Sequence, residues 1–130
     1  MIQKSCPMKT SPLGAYERNV TSQNGEDGVL AEIFLRLGVK QGLCVEFGAW
    51  DGKHYSNTWD LWHNCEWHAV LVEGDPQKYC ALKEATANHS QARPVCAYVA
   101  IQGMNSLDQL LRNVDTGARK PDLISIDIDG

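Results

Sequence analysis

Three acids, each closing a short apolar run, are the residues of this chain best suited to chemistry. The first is Glu46, within Val45-Glu46-Phe47-Gly48-Ala49-Trp50-Asp51-Gly52. Gly48 and Gly52 let the backbone turn sharply and approach a ligand closely. An acid on the last turn of a strand suits a cationic group, such as the amino group of a bound amino acid, and suits a pyrophosphate poorly. The second is Glu73, which follows Ala69-Val70-Leu71-Val72. An acid there can accept hydrogen bonds from both hydroxyls of a ribose. The third is Asp127, within Asp127-Ile128-Asp129-Gly130. Asp127 and Asp129 stand two apart, so they share one side of the strand if it continues that far. They could act as a general base, hold a divalent cation through oxygen ligands, or position an acceptor hydroxyl. Taken singly, each acid could also be a solvated strand end and each glycine an ordinary turn.

Other chemistries fit less well. The dinucleotide fingerprint needs G-x-G-x-x-G and a phosphate loop needs G-K-[ST]; here the glycines read G-x-x-x-G, and Gly52-Lys53 is followed by His54. His54, His63, His68 and His89 show no metal-ligand spacing, and of these only His54 lies in the candidate turn. Trp50 could stack on a ligand or cover the core, whereas Trp59, Trp62 and Trp67 read as packing residues. Cys6, Cys44, Cys65, Cys80 and Cys96 are odd in number and contain no C-x-x-C, which argues against a disulfide framework or a zinc knuckle. Cys44 and Cys96 lie in apolar runs and read as small core residues. A reducing, cytoplasmic setting is expected.

The elements that must position these acids follow from periodicity. Residues 1–20 are polar, carry Pro7 and Pro12, and read as an irregular arm. Asn24 is expected to cap a helix whose Val29, Leu30, Ile33, Phe34 and Leu37 share a face, with Gly38 as the stop. Leu43–Phe47 and Ala69–Glu73 are too short and apolar for helices and read as buried strands. Between them, residues 57–63 suggest a short helix. Asp75-Pro76 opens a helix with a cap and a first-turn proline, placing Tyr79, Leu82 and Thr86 or Ala85 toward the sheet. Residues 95–99 are expected as a third strand. Ser106 caps a helix with Leu107, Leu110, Leu111 and Val114 on one face, and residues 123–127 form a fourth strand. Strands alternating with helices predict an α/β fold: a Rossmann-like, doubly wound parallel sheet with helices on both faces and right-handed crossovers. Ligands of such sheets lie outside the carboxyl ends of the strands, where all three acids fall. A doubly wound domain normally adds strands after the fourth. The expectation is therefore a chain truncated after that strand, or one completed by a partner, with an apolar edge left exposed.

A length of 130 residues suits one domain. Net charge is -4 and the pI about 5.5, which gives no electrostatic footprint for nucleic acid or an anionic membrane. No stretch nears the roughly 20 apolar residues that span a bilayer, and residues 1–10 lack the apolar core of a secretory signal.

Four stretches resemble the FkbM-type methyltransferases, a branch of the class I, Rossmann-like enzymes that use S-adenosylmethionine. Ser22-Gln23-Asn24-Gly25-Glu26-Asp27 is similar to that family's leading element. Val45–Gly52 with Ser56-Asn57-Thr58 resembles its cofactor motif. Val70-Leu71-Val72-Glu73-Gly74-Asp75-Pro76 resembles its second strand, and Ser106-Leu107-Asp108 with Asp122–Gly130 its closing strand. The likeness runs in order over residues 22–130, so the domain is expected over 21–130, as the N-terminal portion of the family's fold. The resemblance implies S-adenosylmethionine as cofactor and O-methylation of a hydroxyl on a small molecule or sugar. It implies that Glu46, Gly48, Asp51 and Gly52 surround the methionine end and that Glu73 binds the ribose. Ser56 and Asn57 would help close the loop, and Gln23 and Glu26 the pocket. Asp127 would stand near the transferred methyl group, with Asp129 as its catalytic companion. Some related enzymes hold magnesium at this strand end; whether a metal is used here stays open. Homo-oligomerisation or a missing C-terminal half is the expected partner question. A non-catalytic Rossmann-like module and an NAD-dependent oxidoreductase are the alternatives, the latter opposed by the glycine spacing and by Glu46.

Overall fold

A computed structural model describes residues 11–117 and 119–128. Asp129, Gly130 and the first half of the expected arm lie outside the described residues. Four parallel strands, β1 (Leu43–Phe47), β2 (His68–Glu73), β3 (Ala92–Cys96) and β4 (Leu123–Ile126), form one sheet in the order β3-β2-β1-β4. The helices are α1 (Glu26–Leu37), α2 (Trp59–Asn64), α3 (Pro76–Thr86) and α4 (Leu107–Asn113). The predicted Rossmann-like α/β architecture is therefore the fold. Among the described residues no helix is long and apolar enough to cross a membrane.

The two faces of the sheet follow from strand alternation. Cys44, Ala69 and Leu71 meet Phe34 of α1, Leu61 and Trp62 of α2 and Leu82 of α3. Leu43, Val45, Phe47, Val70 and Val72 meet Leu107, Leu110 and Leu111 of α4. β1 and β2 are buried along almost their whole length, as strands covered on both faces must be. β4 pairs with β1 alone among the described residues, and its Ile124 and Ile126 are 43% and 65% exposed. The chain runs from β1 outward to β2 and β3, then returns across the sheet to β4. That reversal puts the topological switch point between β1 and β4.

Three local expectations need correction. Asn24 does not cap α1. Gly25 occupies the cap with φ 88°, and the Asn24 amide instead donates to Glu26 Oε2 at 2.7 Å. A left-handed cap suits glycine better than asparagine. Leu37, expected on the buried face, is exposed in the last turn of α1. β3 spans Ala92–Cys96, three residues earlier than the expected 95–99, and takes in Pro94. Proline cannot donate to a ladder, but among the described residues β3 pairs only with β2, and edge strands tolerate it. With that shift Cys96 ends the strand and is exposed. The other signals hold: Asp75 accepts from the Gln77 and Lys78 amides ahead of Pro76, and Ser106 accepts from Gln109. The second half of the expected arm is ordered against α1, with a 3₁₀ turn at Leu13–Tyr16 and a Gly28 N–H bond to the Arg18 carbonyl at 2.9 Å.

Candidate functional site

A cleft of about 510 Å³ opens over the carboxyl ends of β1, β2 and β4. Its floor is Phe47 and Gly48 from β1, Val72 and Glu73 from β2, and Asp127 after β4. Gly48 has φ 70°, and a Cβ there would come within 1.9 Å of the Asp127 carbonyl oxygen. Only glycine lets β1 end so close to the β4 end, which keeps Glu73 and Asp127 in one cleft. Trp50, Tyr55 and Tyr98 form aromatic walls, and Lys78 reaches over the Trp50 ring at 5.2 Å.

Glu73 is the best-anchored acid of the cleft. It is 7% exposed, its Oε2 accepts from the Trp50 amide at 2.8 Å, and its Oε1 accepts from the Asp75 amide at 2.8 Å. Each oxygen keeps a further lone pair for a ligand donor. The first contact fixes the loop after β1 and the second the entry to α3, so the carboxylate direction is set by both elements. Trp50 itself takes φ 51°, a conformation that side chains other than glycine rarely adopt, and such strain gathers at binding sites.

Glu46 has a different place from the expected one. It does not line the cleft. Its side chain is buried beneath it, accepting from Ser56 Oγ at 2.7 Å, Thr58 Oγ1 at 2.8 Å and the Asn57 amide at 2.9 Å. Burial pushes its carboxyl pKa up, against the pull of those three hydrogen bonds. Glu46 is thus a positioning residue that ties the Ser56–Thr58 segment to β1. Asp51 is also occupied within the loop: Oδ1 accepts from the Lys53 and His54 amides, and Oδ2 meets His54 Nδ1 at 2.6 Å. Burial raises its pKa, but those bonds from His54 and Lys53 prevail and hold it below the usual aspartate value.

Of the sequence-predicted residues, Gln23, Gly48, Glu73 and Asp127 line the cleft. Glu46, Asp51, Gly52 and Ser56 do not line it. Glu26 and Asn57 line a separate groove of about 290 Å³ between α1 and β4, where Asn57 Nδ2 donates to Ser125 Oγ at 3.2 Å. Asp129 lies outside the described residues. Among the described residues no group of three or more His, Cys, Asp or Glu is arranged to hold a metal.

Asp27 is the residue that sequence reasoning missed. It is buried, and its Oδ2 accepts from the amides of Val20, Thr21 and Ser22 and from Ser22 Oγ, all at 2.7–2.8 Å. Burial raises its pKa, yet the hydrogen bonds from Ser22, Thr21 and Val20 together outweigh that and hold it below the usual value. Thr21 Oγ1 then donates to the Ser56 carbonyl at 2.9 Å. Asp27 and Glu46 therefore lock together the two segments that flank Gln23 and the cleft mouth. Its only sequence signal was its place in Ser22–Asp27, which does not show that the carboxylate folds back onto the preceding backbone. Tyr98 was missed as well; it lies along Gly74, where a Cβ would come within 2.3 Å of its ring. No protein-family model, curated protein or solved structure matches the chain.

Proposed function

We propose that this chain is an S-adenosylmethionine-dependent methyltransferase domain of FkbM type, acting on a hydroxyl oxygen of a small molecule or sugar. The observation that carries this reading is Glu73: a buried carboxylate at the end of β2, fixed by two backbone amides, with lone pairs left for a diol. The cleft supports it in size, since small-ligand sites span about 300–1,000 Å³. Its position at the carboxyl ends, beside the switch point, agrees with the general rule for open α/β sheets. The aromatic walls suit a planar base. When bound, S-adenosylmethionine supplies an electrophilic methyl group on a sulfonium.

The chain's own contributions are orientation and proton handling. Glu73 would hold the ribose hydroxyls. The tight Gly48 turn leaves backbone at the cleft floor for close approach, and Gln23 closes one side. Asp127 lines the same cleft and is the group to take the proton of an acceptor hydroxyl. Glu46 and Asp51 act behind the surface by fixing the loop rather than by meeting the ligand. A reducing, cytoplasmic setting accords with Cys44, Cys65, Cys80 and Cys96 all being free thiols.

Calorimetry tests the reading. Titration of the protein with S-adenosylhomocysteine is expected to show saturable one-site binding that NADH does not compete with. Binding of NADH in place of both S-adenosyl compounds would transfer the site to the oxidoreductase alternative.

A further inference from the structure

The amino end of the sheet, opposite the acidic cleft, holds a second cavity of about 900 Å³. Its walls are the end of α4 and the segment leading into β4, with Leu43 of β1 between them. Arg112, Arg119 and Lys120 line it together with Asn113 and Thr116, and all three cations are exposed. The ion pairs among the described residues, Arg36–Glu32 and His54–Asp51, lie elsewhere. Two acids share the walls. Asp115 accepts the Gly117 amide at 3.1 Å in a tight turn. Asp108 stands one turn before Arg112 on α4 without an ion pair to it.

A histidine stands within electrostatic reach of Arg119. His68 starts β2 and pairs in register with Leu43. Burial lowers its pKa, and Arg119 and Arg93 lower it further with no carboxylate opposing them. Cations near a helix end can serve only to meet its partial negative charge. That accounts for Arg112 in the last turn of α4 and leaves Arg119, Lys120 and Arg93 without such a role. In a chain of net charge -4, a concave gathering of unpaired cations stands apart from the acidic opposite end, where Glu73, Asp75 and Asp127 lie.

We propose that this basal cavity binds the phosphate or diphosphate group of a small phosphorylated molecule through Arg112, Arg119 and Lys120. Arginine presents planar donor forks that match phosphate oxygens, and lysine adds a compact point charge. Thr116 and Asn113 supply neutral hydrogen-bonding partners. A cavity of this size fits a small ligand, whereas a nucleic-acid track calls for a longer basic stripe. The site is independent of the methyltransferase reading.

The test uses the whole protein with inorganic pyrophosphate as probe, in chloride buffer, followed by calorimetry. Saturable binding is expected, weakened at least tenfold in the combined Arg112→Gln, Arg119→Gln, Lys120→Gln variant and unchanged in Arg36→Gln. A second measurement needs no variant: pyrophosphate is expected to protect Arg112 and Arg119 from phenylglyoxal modification, read by mass spectrometry. Absence of saturable binding, equal binding by the triple variant, or absence of protection overturns the proposal. So does a single-stranded RNA that binds through the same residues and that pyrophosphate fails to displace.

Discussion

Replacing Glu46 by Ala removes one buried carboxylate and leaves three donors facing a void: Ser56 Oγ, Thr58 Oγ1 and the Asn57 amide. Ser56 is 3% and Thr58 0% exposed, so water does not readily take the place of the lost acceptor. A hydrogen bond to a charged acceptor contributes about 1.5–3 kcal/mol. Three added together would overstate the loss, because they share one acceptor and because deletion also relieves the carboxylate's own desolvation. Leaving buried neutral donors unsatisfied costs about 1–3 kcal/mol, and about 2–3 kcal/mol is the expected loss for Glu46→Ala. It corresponds to a drop in Tm of about 6–15 °C for a domain of this size. Urea unfolding at neutral pH reads it directly. The pH dependence carries a sign. Burial raises the folded-state pKa of Glu46 above the usual 4.5. The stability linked to that shift is fully present below the unfolded value and is lost as pH rises through the folded one. Wild type minus Glu46→Gln should therefore shrink as pH rises from the ordinary glutamate value through the raised folded-state one. A loss under about 1 kcal/mol in Glu46→Ala, or a wild type-to-Gln difference that is flat with pH, refutes the reasoning.

Two further predictions concern the same scaffold. Asp27→Ala should cost about 2–3 kcal/mol, because the amides of Val20, Thr21 and Ser22 lose their acceptor. The Asp27 pKa lies below the usual 3.8, so its contribution is present above that value and lost as pH falls through the lowered one; acid unfolding of wild type and variant checks this. Gly48→Ala should destabilise by more than about 1–2 kcal/mol, the usual cost of a left-handed conformation for a residue with a Cβ, since that atom also meets the Asp127 carbonyl oxygen. Urea midpoints at constant m test it, and a variant as stable as wild type would contradict the close β1–β4 approach.

The fold was legible because its signals are local. Leu43–Phe47 and His68–Glu73 are short apolar runs that only a two-sided sheet can bury, and Asp75-Pro76 and Ser106 announce their helices in the residues themselves. The start of β3 was not legible, because tolerance of Pro94 within it depends on strand order, which periodicity does not carry. The site was legible in part. Strand-end position alone put Gly48, Glu73 and Asp127 in one cleft. Glu46 was misplaced by one step: its side of β1 was readable, but not that Ser56, Asn57 and Thr58 would fold back to saturate it. Asp27 stayed hidden for the same reason, since a carboxylate bonded to three preceding amides leaves no spacing pattern.

The account rests most on Glu73 as the group that receives a ribose diol. The direct measurement is the Kd for S-adenosylhomocysteine by calorimetry in wild type, Glu73→Ala and Glu73→Gln, with each variant's fold checked by its thermal transition. Loss of two hydrogen bonds to a charged acceptor is expected to weaken Glu73→Ala by roughly 100-fold or more, with Glu73→Gln intermediate because one carbonyl acceptor remains. Folded Glu73→Ala that binds S-adenosylhomocysteine as tightly as wild type, or a wild-type protein that does not bind it, contradicts the account.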